Sequence, residues 1–291
     1  MMVTLFTATY NRASLLPKLY GSLLLQTYVC FEWVIVDDGS SDGTAQLIKC
    51  FIAENKIAIR YFKQENGGKH RAINKGVAVA QGSLFFMVDS DDYLPYHGIN
   101  TVVTNYIFAK KKYNISGVAG RRMFYDGKVV GSPAFEAVVS TSIEIRYKWQ
   151  VRGDLVEVFE TQVLKEFPFP EYENENFCPE ALVWNRIAQK YTLFFFNTGI
   201  YTTAYLADGL TFNIVKIRMK SPSAAMACYS ELASFKIPVT QQVRATVNFW
   251  RFAFCSQVPF FIKLKKVSFI KSLVALPLGF LLYINDIKTT T

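Results

Sequence analysis

Short apolar runs alternate with segments of helical periodicity over the first 90 residues. Val3 to Thr7 is a β-prone run that ends before the turn residue Asn11, and LLPKLYGSLLLQ then places leucines at helical spacing. The plan repeats with the apolar run Trp33 to Val36 and an amphipathic helix that opens near Thr44. IAIRYF and SLFFMV supply a third and a fourth strand. The pattern predicts a parallel sheet covered by helices on both faces.

Polar turns follow each of these four predicted strands. They read TATYNR, DDGSSD, NGGK and DSDD. Right-handed crossovers bring the carboxyl ends of parallel strands to one edge of the sheet, and ligands of such sheets bind at that edge. The sequence therefore predicts that the four turns line one crevice.

The pattern changes after residue 113. Short β-like pieces between Asn114 and Trp149 predict antiparallel additions to the sheet, and a helix is predicted from about Pro179 to Lys190. TLFFFNTGIYTTAYL then predicts one or two strands.

Composition limits the chemistry. Of the 291 residues 51% are hydrophobic and only 19% are charged, so the chain can bury a full core. The five cysteines are far apart and the two histidines have no cysteine or carboxylate at ligand spacing, which argues against a zinc site. The amino terminus lacks the basic region of a signal peptide, so we expect a cytoplasmic protein with reduced thiols.

The stretch VDSDDYLP carries three carboxylates, Asp89, Asp91 and Asp92. A Mg²⁺ or Mn²⁺ ion that also holds a diphosphate needs only one or two protein carboxylates. Two Asp residues separated by one residue can divide this work, one reaching the ion and the other a sugar hydroxyl. The alternative is a solvated acidic turn that caps the next helix.

Two further turns have compatible chemistry. In VDDGSSDGT, Asp37 can accept a hydrogen bond from a base N–H, although the same letters make an ordinary strand-to-helix turn. In NGGKHRAINKG the glycines permit close backbone approach, the helix amino terminus attracts an anion, and Lys69 and Arg71 add positive charge. The spacing is neither that of a Walker A loop nor GxGxxG.

Taken in order, TATYNR, VDDGSSDGT, NGGKHRAINKG and VDSDD closely resemble the nucleotide-binding half of the family 2 glycosyltransferases. The resemblance implies the GT-A fold, which is a Rossmann-like, mainly parallel mixed sheet flanked by helices. It assigns base recognition to Asp37, ribose contact to Asp89 and a divalent metal, Mn²⁺ or Mg²⁺, to Asp91, and leaves Asp92 open between a helix cap and a sugar contact. The implied nucleotide-sugar residues are Thr7, Tyr10, Arg12, Asp37, Asn66, Gly68, Lys69, Asn74, Asp89 and Ser90.

An inverting glycosyltransferase needs a general base for the acceptor hydroxyl. The family usually places it in an ED pair that opens a helix, six residues before an Arg. The matching stretch here reads PEALVWNR and predicts Glu180, six residues before Arg186. It has no ED pair, so Glu171, Glu173 and Glu175 remain rivals.

The resemblance implies an inverting transferase that moves a sugar from a nucleoside diphosphate sugar, UDP-linked by preference, to a glycan in cell-surface polysaccharide synthesis. Along the chain we expect a catalytic domain, 1–215, with a nucleotide-binding half, 1–112, and an acceptor-binding half, 113–215, followed by an extension, 216–291. The alternatives are a sugar-phosphate nucleotidylyltransferase, whose Gly-rich signature is missing after the first strand, and a non-catalytic nucleotide-binding membrane scaffold.

The extension is basic and apolar. From Val239 onward seven Lys or Arg residues stand against one Asp. Its cleanest apolar run, Ser272 to Ile284, is shorter than the ~20 residues that span a bilayer. We therefore expect a segment that lies on the inner face of the cell membrane, beside a lipid-linked glycan acceptor, with an amphipathic helix pair packed on the domain as the alternative. No pattern for binding nucleic acid accompanies the charge.

Overall fold

Eight strands in the described part of the chain form one mixed sheet. The computed structural model describes residues 1–131, 133–203 and 213–290. The strands are β1 (Val3–Thr9), β2 (Phe31–Asp37), β3 (Ala58–Lys63), β4 (Leu84–Met87), β5 (Gly117–Met123), β6 (Val138–Ser140), β7 (Leu155–Glu160) and β8 (Leu193–Thr202). Their order across the sheet is β3-β2-β1-β4-β7-β5-β8-β6.

The first four strands are parallel, as the sequence predicts. β1 pairs with β2 and β4, and β2 pairs with β3, all in parallel register. β7 is antiparallel to both β4 and β5, and β6 is antiparallel to β8. β5 is also a parallel neighbour of β8, with register shifts along the pair, so the later strands are not all antiparallel. The prediction of a mixed, mainly parallel sheet is confirmed.

Twelve helices lie in the described ranges. They are α1 (Leu16–Leu24), α2 (Thr44–Glu54), α3 (Lys69–Val79), α4 (Gly98–Lys110), α5 (Glu144–Tyr147), α6 (Thr161–Glu166), α7 (Glu180–Ile187), α8 (Ile214–Lys220), α9 (Pro222–Ser234), α10 (Val239–Ala253), α11 (Phe260–Leu264) and α12 (Phe269–Thr290). The helix expected from Pro179 to Lys190 is α7, which is shorter at both ends.

Burial explains why the first strands read as continuous apolar runs. Every residue of β2 is buried, because the strand lies between β1 and β3 and has both faces covered. On one face Tyr20 of α1 stacks on Phe51 of α2 at a ring distance of 4.0 Å, beside the fully buried Trp33. Because this core holds the strands in place, it also sets the positions of their ends and of the polar turns that follow them.

The chain divides into two compact units. One comprises Met1–Pro168 and Ile187–Tyr205 and holds the sheet, and the other comprises Phe169–Arg186 and Leu206–Thr291. The core of the second unit includes Met226, Phe249, Trp250 and Ala275, from α9, α10 and α12. α12 approaches α10 closely at Gly279, where a Cβ would lie 2.8 Å from the Trp250 Cβ. The predicted boundary at residue 215 stays a prediction.

α12 is longer than the 13-residue apolar run in the sequence. It has 22 residues and continues through Lys271 and Asp286, since both charges find partners on α10. Arg251 holds Asp286 with two hydrogen bonds of 2.5 and 2.6 Å, and Lys271 bonds the Gln242 side chain. Among the described residues one helical stretch, Phe269–Thr289, is long and apolar enough to cross a membrane by length and composition alone.

Candidate active site

Hydrogen bonds join the turns after β1 and β2. Asn11, which has a positive φ of 51°, donates its backbone N–H to the Ser40 hydroxyl at 2.8 Å. Its side-chain oxygen accepts the N–H of Ser41 at 2.9 Å. The backbone N–H of Arg12 reaches the hydroxyl of Thr44, at the start of α2, at 3.1 Å. The first two predicted loops are therefore one connected structure.

Asp38 connects the second loop to the third. Its buried carboxylate accepts the backbone N–H groups of Gly67 and Gly68 at 2.9 and 2.8 Å, and the Gln64 amide at 2.7 Å. Gly68 has a φ of 96°, a conformation that favours glycine, and it directly precedes α3. The NGGK turn is thus fixed at the start of a helix by a carboxylate from the loop after β2.

Asp37, the predicted base-recognition residue, is fully buried. One carboxylate oxygen accepts the Ser40 N–H at 2.7 Å and the other accepts the Tyr61 hydroxyl at 2.7 Å. Burial, and then this hydrogen bond to Asp37, raise the pKa of Tyr61 well above its usual range. Each oxygen keeps a further lone pair, but Asp37 is 0% exposed, so a contact to a base requires the surrounding loops to move. The predicted role stays a prediction.

The remaining predicted residues of the first loop differ in exposure. Thr7 is buried; its hydroxyl donates to the Val88 carbonyl at 2.9 Å and accepts the Trp33 indole N–H at 3.0 Å, so it ties β1 to its neighbours. Tyr10 is 49% exposed. The Arg12 guanidinium has no hydrogen bond or ion pair within the residues that the structure describes. Tyr10 and Arg12 are therefore the accessible members.

Asn66 and Lys69, in the third loop, each bind a residue of a neighbouring loop. The Asn66 amide donates to the Asp38 carbonyl at 2.9 Å, and Lys69 Nζ lies 2.6 Å from Asp89 Oδ1. Asn74 is half-buried in the second turn of α3. The Lys69–Asp89 pair links the NGGK turn to DSDD, so all four loops meet at one edge of the sheet, as the sequence predicts.

Asp89 is paired with two cations. Besides Lys69, Arg122 Nη2 lies 3.9 Å from its second oxygen, and its backbone N–H donates to the Tyr201 hydroxyl at 2.8 Å. Burial acts to raise the pKa of Asp89, but the charges of Lys69 and Arg122 outweigh it and hold that pKa below its usual range. Asp89 is therefore ionised and already balanced by charge.

Asp92 faces the same arginine from a buried position. Arg122 Nη1 lies 3.6 Å from its Oδ2, and the Thr203 side chain hydrogen-bonds it. Burial, and then the charge of Asp89, raise the pKa of Asp92 to about 6. α4 begins only at Gly98, after His97, so Asp92 does not cap the next helix, which was one of its two predicted roles.

Asp91 differs from both neighbours. It is half-buried, and its carboxylate has no hydrogen bond or ion pair to any described residue. Ser90, between the two key carboxylates, is 7% exposed. The described residues contain no group of three or more His, Cys, Asp or Glu that could hold a metal ion. A divalent cation here would have Asp91 as its protein ligand and take other ligands from diphosphate and water, a donor set that Mg²⁺ accepts.

Arg122 and Tyr201 are members of the site that sequence reasoning missed. Arg122, the last residue but one of β5, lies over the ring of Tyr201, from β8, at 4.4 Å. Burial acts to lower the pKa of Arg122, but Tyr201, Asp89 and Asp92 raise it overall, so the side chain is a permanent cation. The sequence around Arg122, GRRM, does not by itself indicate a residue of the site. Arg122 and Tyr201 lie near DSDD only because β5 pairs with β8.

The second unit contains the predicted base. Glu180 is the first residue of α7 and is half-buried. Arg186, one and a half turns later, binds Glu231 of α9 through two hydrogen bonds of 2.9 and 2.7 Å. The rival Glu175 is buried and accepts the N–H groups of Ser223 and Ala224 at 2.7 and 3.0 Å. Glu175 thus caps α9.

A family model decides the identity. The model described as Glycosyl transferase family 2 matches residues 4–155, which include all four loops, Asp89, Asp91 and Arg122. The chain belongs to the family 2 glycosyltransferases. The resemblance seen in the motifs is confirmed.

Relatives of this family 2 glycosyltransferase match about a third of its length. Glycosyltransferase GlyG of Streptococcus pneumoniae serotype 4 is 33% identical over 102 residues, which are 35% of this chain and 34% of GlyG. Chondroitin synthase of Pasteurella multocida is 36% identical over 93 residues, 32% of this chain and 10% of the synthase. The matched stretch therefore spans about a third or less of these relatives.

Solved structures share the fold over nearly the whole glycosyltransferase. S. aureus TarS 1-349 has a TM-score of 0.63 at 18% identity and covers 96% of this chain and 80% of its own. The same protein solved with UDP-GlcNAc has a TM-score of 0.60 at 19% identity, over 97% of this chain and 89% of its own. The mannosyltransferase PcManGT of Pyrobaculum calidifontis, in complex with GDP-Man and Mn²⁺, has a TM-score of 0.59 at 16% identity, over 98% and 87%. The GT-A fold prediction is confirmed.

Proposed function

We propose that this family 2 glycosyltransferase is an inverting enzyme that moves a sugar from a nucleoside diphosphate sugar, UDP-linked by preference, to a hydroxyl of a glycan. The observation that carries the proposal is the convergence of four bonded loops on DSDD, where Asp91 alone among the three carboxylates lacks a partner in the described residues. Such a site is prepared for a ligand that brings charge.

Donor recognition is assigned to the accessible loop residues. Tyr10 is exposed and Arg12 has a guanidinium available for an anion. The TarS structures with UDP and UDP-GlcNAc support a uridine donor, whereas the mannosyltransferase structure holds GDP-Man. Asp37 would reach the base only after a movement of the loops that bury it.

The reaction forms one bond and breaks another at the anomeric carbon. The acceptor oxygen attacks opposite the diphosphate, the bond from carbon to the diphosphate oxygen breaks, and the nucleoside diphosphate leaves with the bonding electrons. Lys69, whose side chain is 32% exposed, exchanges part of its contact with Asp89 for the leaving diphosphate. Arg122 keeps Asp89 and Asp92 balanced while this occurs.

Asp91 is the residue that would hold Mn²⁺ or Mg²⁺ in this site. The ion, when bound, supplies positive charge to the diphosphate oxygens. Asp89 stays beside Arg122 and is available to the ribose hydroxyls. Manganese in the structure of the mannosyltransferase supports this assignment by analogy of fold.

Glu180 is proposed to take the proton of the acceptor hydroxyl. Its support is its position at the start of α7, six residues before Arg186, together with the use of Glu175 as a helix cap. Glu180→Gln should lower kcat by about 10²–10⁴-fold and leave donor binding nearly unchanged. Unchanged turnover in Glu180→Gln, measured beside Glu171→Gln and Glu173→Gln, would assign the base elsewhere.

The acceptor is proposed to be a growing cell-surface glycan on a lipid carrier, at the inner face of the cell membrane. The apolar, basic C-terminal helices support this location. The chain would then be a cytoplasmic protein bound peripherally to the membrane.

A screen of nucleotide sugars tests the function as a whole. Purified chain is incubated with UDP-, GDP- and CMP-sugars and Mn²⁺, and both nucleotide release and thermal shift are measured. Release of UDP, with stabilisation by UDP-sugars, supports the proposal. Preference for GDP or CMP forms would overturn the choice of base, pyrophosphate release from a nucleoside triphosphate and a sugar phosphate would indicate a nucleotidylyltransferase, and binding without any turnover would indicate a scaffold.

A further inference from the structure

α12 presents two faces of different chemistry. Ser272, Ala275, Gly279 and Asp286 are buried and recur at intervals of three, four and seven residues. From Phe269 to Leu282 the exposed side chains are apolar: Ile270 is 78% exposed, Leu273 63%, Val274 59%, Leu278 46% and Leu281 64%. These five residues, the outer stripe, follow helical spacing along one side.

The buried face ties α12 to α10 along its length. Ser272 accepts the Trp250 indole N–H at 3.0 Å near the beginning of the helix. Gly279 allows the α10 backbone to approach in the middle, and Asp286 pairs with Arg251 near the end. One whole side of α12 is therefore committed to a helix that also carries Gln242, Arg244 and Asn248.

These contacts argue against a membrane span. From Ser272 to Asn285 the helix has 14 residues without charge, which is about 21 Å of helix. The hydrocarbon core of a bilayer is about 30 Å thick. Spanning it would also either pull the polar residues of α10 into hydrocarbon or break the Arg251–Asp286 pair, and both are costly.

Positive charge lies at both ends of the outer stripe. Lys265 and Lys266 are exposed just before α12 begins, and Lys288 is exposed in its last turn. Asp286 is neutralised by Arg251, so the helix presents no free carboxylate beside these lysines. An apolar stripe between lysines complements the acyl and headgroup layers of an anionic bilayer.

We propose that α12 lies in the plane of the membrane, with its outer stripe among the acyl chains of an anionic leaflet and its buried face on α10. The inference rests on the proposed function in one respect: binding of α12 to the membrane would hold the enzyme beside a lipid-linked acceptor. The occupant is a lipid surface rather than a second copy of the chain.

Flotation of the purified full chain with vesicles tests the proposal. The vesicles contain phosphatidylcholine with or without phosphatidylglycerol. We expect binding that needs phosphatidylglycerol and weakens with salt, and we expect Leu281→Glu to weaken it about tenfold or more, since a charge replaces an inserted Leu. Leu25→Glu is the matched control, because Leu25 is also 64% exposed and lies on α1's end in the other unit; it should bind as the unaltered chain does.

Several outcomes would overturn the inference. Absence of binding to anionic vesicles, or equal binding by Leu281→Glu, would show that the outer stripe does not insert into lipid. Retention in cell membranes after an alkaline carbonate wash indicates a span. A dimer in light scattering that Leu281→Glu dissociates indicates a second copy as the occupant. UDP release with a soluble acceptor, measured on the same samples, separates failure of this inference from failure of the proposed transferase activity.

Discussion

Two arrangements of paired charge occur in the described residues, and they differ in whether every acid has a cation of its own. Arg186 with Glu231 and Arg251 with Asp286, in the second unit, are one-to-one pairs that join two helices, and Arg60 with Glu32 joins two strands of the first unit in the same way. In the first unit Asp89 and Asp92 share Arg122, Lys69 adds a second cation, and Asp91 has no ion pair within the described residues. A closed pair needs nothing further to be stable, whereas the shared cluster retains one unbalanced acid.

The difference separates structural charge from functional charge. Burying two ions without a partner costs several kcal/mol each, so a chain retains a buried pair when its hydrogen bonds are complete. The helix pairs meet that condition with two bonds each. In the DSDD cluster two of the three acids face cations, and the third is the point at which a ligand can change the balance of charge.

The largest expected effect is loss of turnover in Asp91→Asn. Removing the unbalanced carboxylate should lower kcat/KM about a hundredfold or more, because stabilisation of the leaving diphosphate by a divalent ion is worth several kcal/mol. The melting temperature without ligand should stay the same or rise, since no contact within the described residues is lost. Steady-state kinetics measure the loss of kcat/KM, and a thermal melt measures the melting temperature.

The matched control for Asp91→Asn is Asp126→Asn. Asp126 is a half-exposed turn residue paired with Lys128 at 2.8 Å. The control should keep full activity. An active Asp91→Asn variant would mean that the unbalanced acid does not mark the reacting site.

Arg122→Gln should damage both stability and turnover. The side chain is 21% exposed and holds two carboxylates, so its loss leaves Asp89 and Asp92 facing each other. We expect the free energy of unfolding to fall by about 2–3 kcal/mol, measured by urea denaturation.

A double-mutant cycle checks the cause of the Arg122→Gln effect. Adding Asp92→Asn should recover a large part of the lost stability, because it removes the like-charge contact. Additive losses in the double variant would show that Arg122 acts by packing on Tyr201 instead.

Asp286→Asn tests the other member of the comparison. It leaves Arg251, which is 18% exposed, without its carboxylate, so the free energy of unfolding should fall by about 2 kcal/mol. The KM for the donor and kcat with a soluble acceptor should be unchanged at a temperature where the variant is folded. A fall in kcat without a fall in stability would place this pair among functional charges.

The sequence predicts the first half of the cluster better than the second. The loop order places Asp89 and Asp91 at the sheet edge, because parallel strands with short crossovers leave little choice of position. Arg122 and Tyr201 are not predictable in this way, since β5 and β8 pair with register shifts and a shift of one residue turns a side chain to the opposite face. The length of α12 is not predictable from the sequence alone either. Asp286 follows the apolar run, but the helix continues through it because Arg251 pairs with its carboxylate.

The smallest predicted effect concerns Glu175, a carboxylate whose partners are backbone N–H groups. Glu175→Gln keeps an oxygen that can accept from Ser223 or Ala224 but loses the negative charge at the amino terminus of α9, so the free energy of unfolding should fall by about 1 kcal/mol. The kcat should remain within a factor of about two of the unaltered enzyme, because the charge of Glu175 stabilises the helix and takes no part in the reaction.

Measuring Glu175→Gln and Glu180→Gln under the same conditions distinguishes a capping acid from a general base. We expect the first variant to lose stability and the second to lose turnover. A Glu175→Gln variant that keeps its stability and loses its turnover would reverse the two assignments.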